Sequence, residues 1–245
     1  MKFRMLTGLG MATSLFAAAP ATAQDAAPDT ASQEAPAQAS GTDRPAIAPA
    51  IGPTYFQIET DASVDPDNVL LLDLSNGGRV TIRLKPEWAP NHVERIKTLT
   101  REGFYDGIIF HRVIDGFMAQ TGDPTGTGNG GSSLPDLKSE FNRVPHLRGT
   151  VSMARTQDPD SANSQFFIVF YPRMALDRDY TNFGRVIGGM EYADAINRGE
   201  PPANPTRIVQ ASLGSENAPR PAINTAPTSD VTADMLNAPV ADANE

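Results

Sequence analysis

The chain has 245 residues, a formal charge of −9, 40% apolar residues and no cysteine. The missing cysteines exclude disulfides, thiolate catalysis and Cys-based zinc sites, and the three histidines, His92, His111 and His146, share no metal-ligand spacing. The acidic balance argues against a nucleic-acid partner, because phosphate binding requires a basic surface.

Lys2 and Arg4 precede an apolar run from Met5 to Ala19, and Ala21-Thr22-Ala23 supplies a small-x-small cleavage pattern. Residues 1–23 therefore read as a secretory signal peptide cut before Gln24, with a run too short to span a bilayer comfortably. Removing it leaves 18 basic and 29 acidic residues. Residues 24–53 hold nine alanines and five prolines, and residues 215–245 hold seven and four, with no periodic apolar pattern in either. Both read as disordered, extended Ala/Pro-rich segments unable to offset their ordering entropy. The expected folded domain is 54–214, of ordinary single-domain size.

Within it, Val69–Ser75 and Arg79–Leu84 are β-rich runs on either side of Asn76-Gly77-Gly78, the pattern of a hairpin. Pro90 opens a helix whose apolar positions Val93, Ile96, Leu99 and Thr100 share one face, and Gly103 ends it. Ile108–Val113, Phe117–Gly122, Gly149–Ala154, Gln165–Phe170, Phe183–Ile187 and Thr206–Leu213 are short strand candidates. A second helix is expected over Met190–Asn197. Eight short strands and two helices, without βαβ alternation or repeats, indicate a closed barrel or a sandwich. Gly126-x-Gly128-x-x-Gly131 matches a dinucleotide fingerprint in letters only. No helix follows it, so it reads as a surface loop.

Four segments carry the chemistry: Phe110–Asp123 (FHRVIDGFMAQTGD), Gly149–Ala154 (GTVSMA), Asn163–Ile168 (NSQFFI) and Asn182–Val186 (NFGRV). In this order they resemble the cyclophilin family of peptidyl-prolyl cis–trans isomerases over about residues 68–213. The resemblance implies a mainly β fold, a closed eight-stranded antiparallel barrel capped by two helices. It implies an isomerase acting on proline-containing segments of unfolded or flexible polypeptides, without metal or cofactor, as a monomer. Arg112 matches the family's catalytic arginine and Gln120 the residue that hydrogen-bonds substrate backbone. Phe117, Met118, Phe167 and Leu176 match the pocket for the proline ring, and Tyr180 lies on its rim. Ala154 and Arg155 match a segment that pairs with the peptide through backbone groups.

The chemistry suits these residue types. Amide resonance gives an X–Pro bond a rotation barrier of about 20 kcal/mol. In the twisted transition state resonance is lost and the prolyl nitrogen regains a lone pair. A fixed donor there stabilises the twisted state above either planar one, and arginine is always charged and rigidly forked. His111 beside Arg112 is expected to be structural, since strand alternation turns it to the other face.

The chain departs from the best-known eukaryotic pattern in three places. Ala175 stands where those members have a Trp that binds cyclosporin, which implies weak sensitivity. Tyr180 replaces a His, and one extra residue lies within Arg155–Asn163. The Arg155 guanidinium, where the family often has Asn, suggests some preference for acidic residues near the proline. The leader places the mature protein in the periplasm or outside the cell. A peptide-binding chaperone or scaffold with incidental isomerase activity is the competing reading.

Overall fold

A computed structural model of the chain describes residues 53–222. The expected signal peptide, the linker up to residue 52 and the tail beyond residue 222 lie outside the described residues.

β1 (Val69–Leu74) and β2 (Arg79–Leu84) form the anticipated hairpin. Its turn uses Gly77 at φ +88°, a conformation open to glycine, while Asn76 Oδ1 accepts the Gly78 N–H. α1 (Pro90–Arg101) buries Val93, Ile96, Leu99 and Thr100. Its N-cap residue, Ala89, has no side-chain acceptor. The Glu140 carboxylate takes that role from a distant loop, accepting the N–H groups of Asn91 (3.2 Å) and His92 (3.1 Å) at the positive end of the helix.

The remaining strands are β3 (Arg112–Ile114), β4 (Met118–Thr121), β5 (Thr150–Met153), β6 (Phe166–Val169), β7 (Asn182–Gly188) and β8 (Ile208–Leu213). α2 (Met190–Asp194) stops short of the expected Asn197. The Asn197 N–H instead donates to Thr206 Oγ1, and its side-chain amide donates to the Asn204 carbonyl.

All eight strands belong to one antiparallel sheet ordered β3-β4-β6-β5-β7-β2-β1-β8, curled into a half-barrel. Its ends are β3 and β8. Across the gap, Gly107 N–H donates to Ile208 O (2.7 Å), Ile208 N–H to Ile108 O (2.9 Å) and Phe110 N–H to Thr206 O (2.9 Å). Val113 and Gly199 exchange both of their backbone bonds. Among the described residues these are isolated bridges, so the expected closed barrel is not made by a continuous ladder. They also explain why Ile108–His111 stays outside β3: its backbone is spent on the far edge.

Alternation along the strands divides the protein in two. Leu70, Leu72 and Leu74 of β1, Val80, Ile82 and Leu84 of β2, and Phe166 and Ile168 of β6 point into the half-barrel. There Tyr105, Phe166 and Phe183 meet edge to face, with centroids 5.6 and 6.2 Å apart. The opposite set, Met118, Phe167 and Val169, forms a separate buried cluster on the outer face.

A strap ahead of β1 covers one side. Arg83 is nearly buried, and its guanidinium donates to the carbonyls of Glu59, Asp61 and Asp65; Lys85 donates to Gln57 O and the Trp88 indole to Tyr55 O. At the other end, contacts continue past the expected boundary at 214. Ser215 Oγ donates to Asp67, and Arg220 donates to Gly77 O and lies 3.5 Å from the fully buried Asp73 carboxylate.

Candidate active site

The register of three strands assembles the centre of the site. Arg112 of β3 pairs with Gln120 of β4, and Gln120 pairs with Phe167 of β6. The three side chains therefore stand in one row on the outer face, one strand spacing apart. A one-residue slip in any strand would turn its member into the core.

All nine residues expected from the sequence line one hollow of about 220 Å³: Arg112, Phe117, Met118, Gln120, Ala154, Arg155, Phe167, Leu176 and Tyr180. Met118 and Phe167 form its floor, packed against Ile114, Phe117, Ala154, Leu176 and Tyr180. Tyr180 meets Phe167 edge to face at 5.7 Å, and Arg173 lies over the Phe117 ring at 5.0 Å. An apolar floor with two arginines and a glutamine at its edges suits a small aliphatic ring attached to a polar backbone.

Polar orientation comes from a chain of amides. Gln165 Nε2 donates to the carbonyls of Gly128 (3.0 Å) and Gly130 (2.7 Å), which turns its oxygen toward Gln120. Gln120 Nε2 donates to that oxygen at 2.8 Å, leaving Gln120 Oε1 to accept from Arg112 Nη1 at 3.4 Å. On the other side, Arg112 Nε donates to Glu200 Oε2 at 2.7 Å.

The carbonyls that fix Gln165 belong to the glycine-rich loop, and its anchor is Asp123. That carboxylate accepts from Thr125 N and Oγ1 (both 2.7 Å), Thr127 N (3.0 Å) and Gly128 N (2.6 Å). Burial pushes the Asp123 pKa up, but these bonds outweigh it and hold it down at about 2. The loop amides that a phosphate would need are thus turned on the chain's own carboxylate, which supports the surface-loop reading of Gly126–Gly131. Gly130 leaves no room for a side chain, since a Cβ there would lie 2.1 Å from Asp123 Oδ1.

Two expectations change in detail. The Arg155 guanidinium is not available to acidic substrates. It bonds Asp179 Oδ1 (2.6 Å) and the carbonyls of Asp179, Thr156 and Gln157, and lies 4.7 Å over the Tyr180 ring. Its side chain is only 10% exposed, so it builds the pocket wall rather than reaching into solvent. The Ala154 N–H is also committed, to Gln165 O. Among the described residues, the Arg155 backbone N–H and carbonyl make no backbone bond. Ala175 is exposed on a 3-10 turn beside Leu176. The segment with the extra residue turns on itself: Thr156 and Ser161 hydroxyls meet at 2.8 Å, and Asp160 accepts from Ser139.

The sequence reading missed a second hollow of about 330 Å³ that shares Gln120, Ala154 and Arg155 with the first. It also missed Gln165, Asp123 and Glu200 as partners of the site. The histidines are all buried. His111 is packed beside Gly128, and burial holds its pKa down. His92 Nδ1 meets Glu140 at 2.6 Å. His146 Nδ1 meets Asp177 Oδ1 at 2.9 Å while its Nε2 meets Ser152 Oγ at 2.9 Å. That Ser-His-Asp row has nucleophilic-triad spacing, but Ser152 and His146 are fully buried, so no substrate reaches it. It fastens β5 to the turn carrying Leu176.

Residues 70–213 match the family model described as cyclophilin type peptidyl-prolyl cis-trans isomerase/CLD. A probable peptidyl-prolyl cis-trans isomerase of Brucella suis is 44% identical over 175 residues, covering 65% of this chain and 89% of the relative. Peptidyl-prolyl cis-trans isomerase B of Bacillus subtilis is 42% identical over 128 residues, 52% of this chain and 89% of that one. Among solved structures, a Hirschia baltica cyclophilin aligns with TM-score 0.59 at 34% identity, covering 64% of this chain and 77% of its own. A Cryptosporidium parvum cyclophilin-type isomerase, solved in the presence of the dipeptide Ala-Pro, aligns at 0.55 with 28% identity, covering 59% of this chain and 98% of that one. With its outer-face pocket, its strand order and a family match over more than half of its length, the chain belongs to the cyclophilin-type peptidyl-prolyl cis–trans isomerases.

Proposed function

We propose that this isomerase accelerates X–Pro rotation in exported polypeptides, by stabilising the twisted amide with Arg112 while the proline ring occupies the pocket floored by Met118 and Phe167. The observation that carries this reading is the Arg112–Gln120–Phe167 row, which sets a donor beside an apolar hollow of pyrrolidine scale. Gln120 and the Arg155 backbone hold the peptide on either side of the ring. The donor acts on the prolyl nitrogen only once the amide has twisted, so its effect falls on the transition state. The Ala-Pro dipeptide present with the Cryptosporidium relative supports the same ligand class here. The bridges at 107–113 and 199–208 support a barrel that is closed in effect, with β3 held rigid.

Export rests on the leader pattern at residues 1–23 and is tested by the N-terminal sequence of the mature protein, expected to begin at Gln24. The isomerase mechanism is tested by a protease-coupled assay on an Ala-Pro peptide. Arg112→Ala is expected to lower kcat/KM by about 100- to 1,000-fold, the usual effect of deleting one transition-state donor. Equal rates for the two proteins would leave the chaperone reading standing instead.

A further inference from the structure

Glu200 lies outside every motif that identifies the chain, yet it touches the guanidinium on which the proposed mechanism depends. Val113 and Gly199 exchange backbone hydrogen bonds at 2.8 and 2.9 Å in an antiparallel bridge. That register sets Glu200 opposite Arg112, as cross-strand neighbours. Arg198, one step to the other side of Gly199, bonds Asp115 beyond the end of β3, so the 198–200 segment is tied at both flanks. Glu200 Oε2 accepts from Arg112 Nε at 2.7 Å, and Glu200 is not among the residues lining the pocket.

This placement has a directional consequence. Arginine has five N–H donors on one plane. Nε–H is taken by Glu200 and one Nη1–H by Gln120, on opposite edges of the guanidinium. The plane is then held by two partners, and Arg112 lines the hollow with Nη donors that neither of them takes. Without Glu200, one contact of 3.4 Å remains to hold a side chain that is 41% exposed, and its rotamers reopen. We infer that Glu200 is a positioning residue for catalysis, clamping Arg112 through Nε so that its Nη edge meets the prolyl nitrogen. This rests on the catalytic reading of Arg112.

The alternative is an ordinary surface ion pair, worth little to stability and nothing to rate. Kinetics on the full mature chain separates the two. Glu200→Ala is expected to lower kcat about tenfold while KM stays within about twofold, because binding contacts persist and only orientation is lost. Glu200→Gln keeps an acceptor oxygen for Nε and is expected to recover most of the rate. Asp115→Ala, which cuts the neighbouring tie on the same segment, is expected to leave kcat unchanged. In 15N spectra, the Arg112 Nε–H resonance should move in Glu200→Ala and stay in place in Asp115→Ala. Wild-type kcat in Glu200→Ala, or an equal drop in Asp115→Ala, overturns the inference. If Arg112→Ala itself costs no activity, the catalytic reading fails. If Arg112→Ala is inactive and Glu200→Ala is not, only the clamp fails.

Discussion

Asp123 is where loop stability and site geometry meet, so Asp123→Asn perturbs both. The folded carboxylate titrates at about 2, against an ordinary value of 3.8. Taken in full, that gap corresponds to at most about 2 kcal/mol of stability from this one carboxylate. The pKa is depressed in the fold, so the stabilisation is complete above about pH 4 and disappears as pH falls toward 2. Asparagine keeps one acceptor oxygen but turns an NH2 group toward loop amides that need acceptors, at a cost of about 1–3 kcal/mol. Urea titrations at pH 7 should show that loss as a lower midpoint with an unchanged slope. At pH 3 the gap between wild type and variant should shrink by about half, because the unfolded wild type takes up a proton there that the folded carboxylate still refuses, and the variant does not titrate. Activity should fall as well, by several-fold, as the Gly128 and Gly130 carbonyls release Gln165 and the amide chain to Arg112 loses its fixed direction. A midpoint equal to wild type at pH 7, or a gap that stays constant down to pH 3, would show that the loop does not lean on this carboxylate.

Other perturbations reach different parts of the molecule. Serine-directed phosphonates should leave Ser152 unlabelled in the native protein, while His146→Ala should destabilise by about 2–4 kcal/mol through two broken buried hydrogen bonds, read by urea titration. Burial holds the pKa of both His92 and His146 below 6.5, so the stability each contributes is complete above that pH and is lost on acidification; thermal scans should show Tm falling between pH 7 and 5. Ala175→Trp extends the exposed turn beside Leu176 with a large aromatic surface, and calorimetry should show cyclosporin binding tightened by about ten- to 100-fold. Starting the chain at Leu70, where the family match begins, removes the carbonyls that satisfy Arg83; the shortened protein should lose at least about 3 kcal/mol in urea titrations, and equal stability would show the strap to be dispensable.

The hairpin, α1 and the strand set were legible because each announces itself locally, by an Asn-Gly turn, a one-sided apolar face or an alternating run. The nine pocket residues were legible because they lie inside recognisable segments, although nothing local told Met118 and Phe167 from core residues. What escaped was separated by long stretches of chain. Glu200 meets a residue 88 positions away, Asp177 meets a histidine 31 positions away, and Glu140 caps a helix at Asn91, 49 positions earlier. Asp123 did carry a local signal, an Asp followed by Pro, Thr and Gly, the pattern of a side chain bonding its own downstream backbone. The suggested acidic preference at the Arg155 guanidinium failed because charge type alone suggested a ligand, whereas its neighbours Asp179 and Tyr180 consume that group.

Because the pocket sits on the outside of the curved sheet and the apolar filling on its inside, neighbouring letters of one short strand answer to different selective demands. In Phe166-Phe167-Ile168-Val169, the first and third positions fill the core while the second floors the proposed ligand site. Such an arrangement lets ligand preference drift without eroding the scaffold, and an engineer seeking new peptide tastes has a separate set of positions to vary.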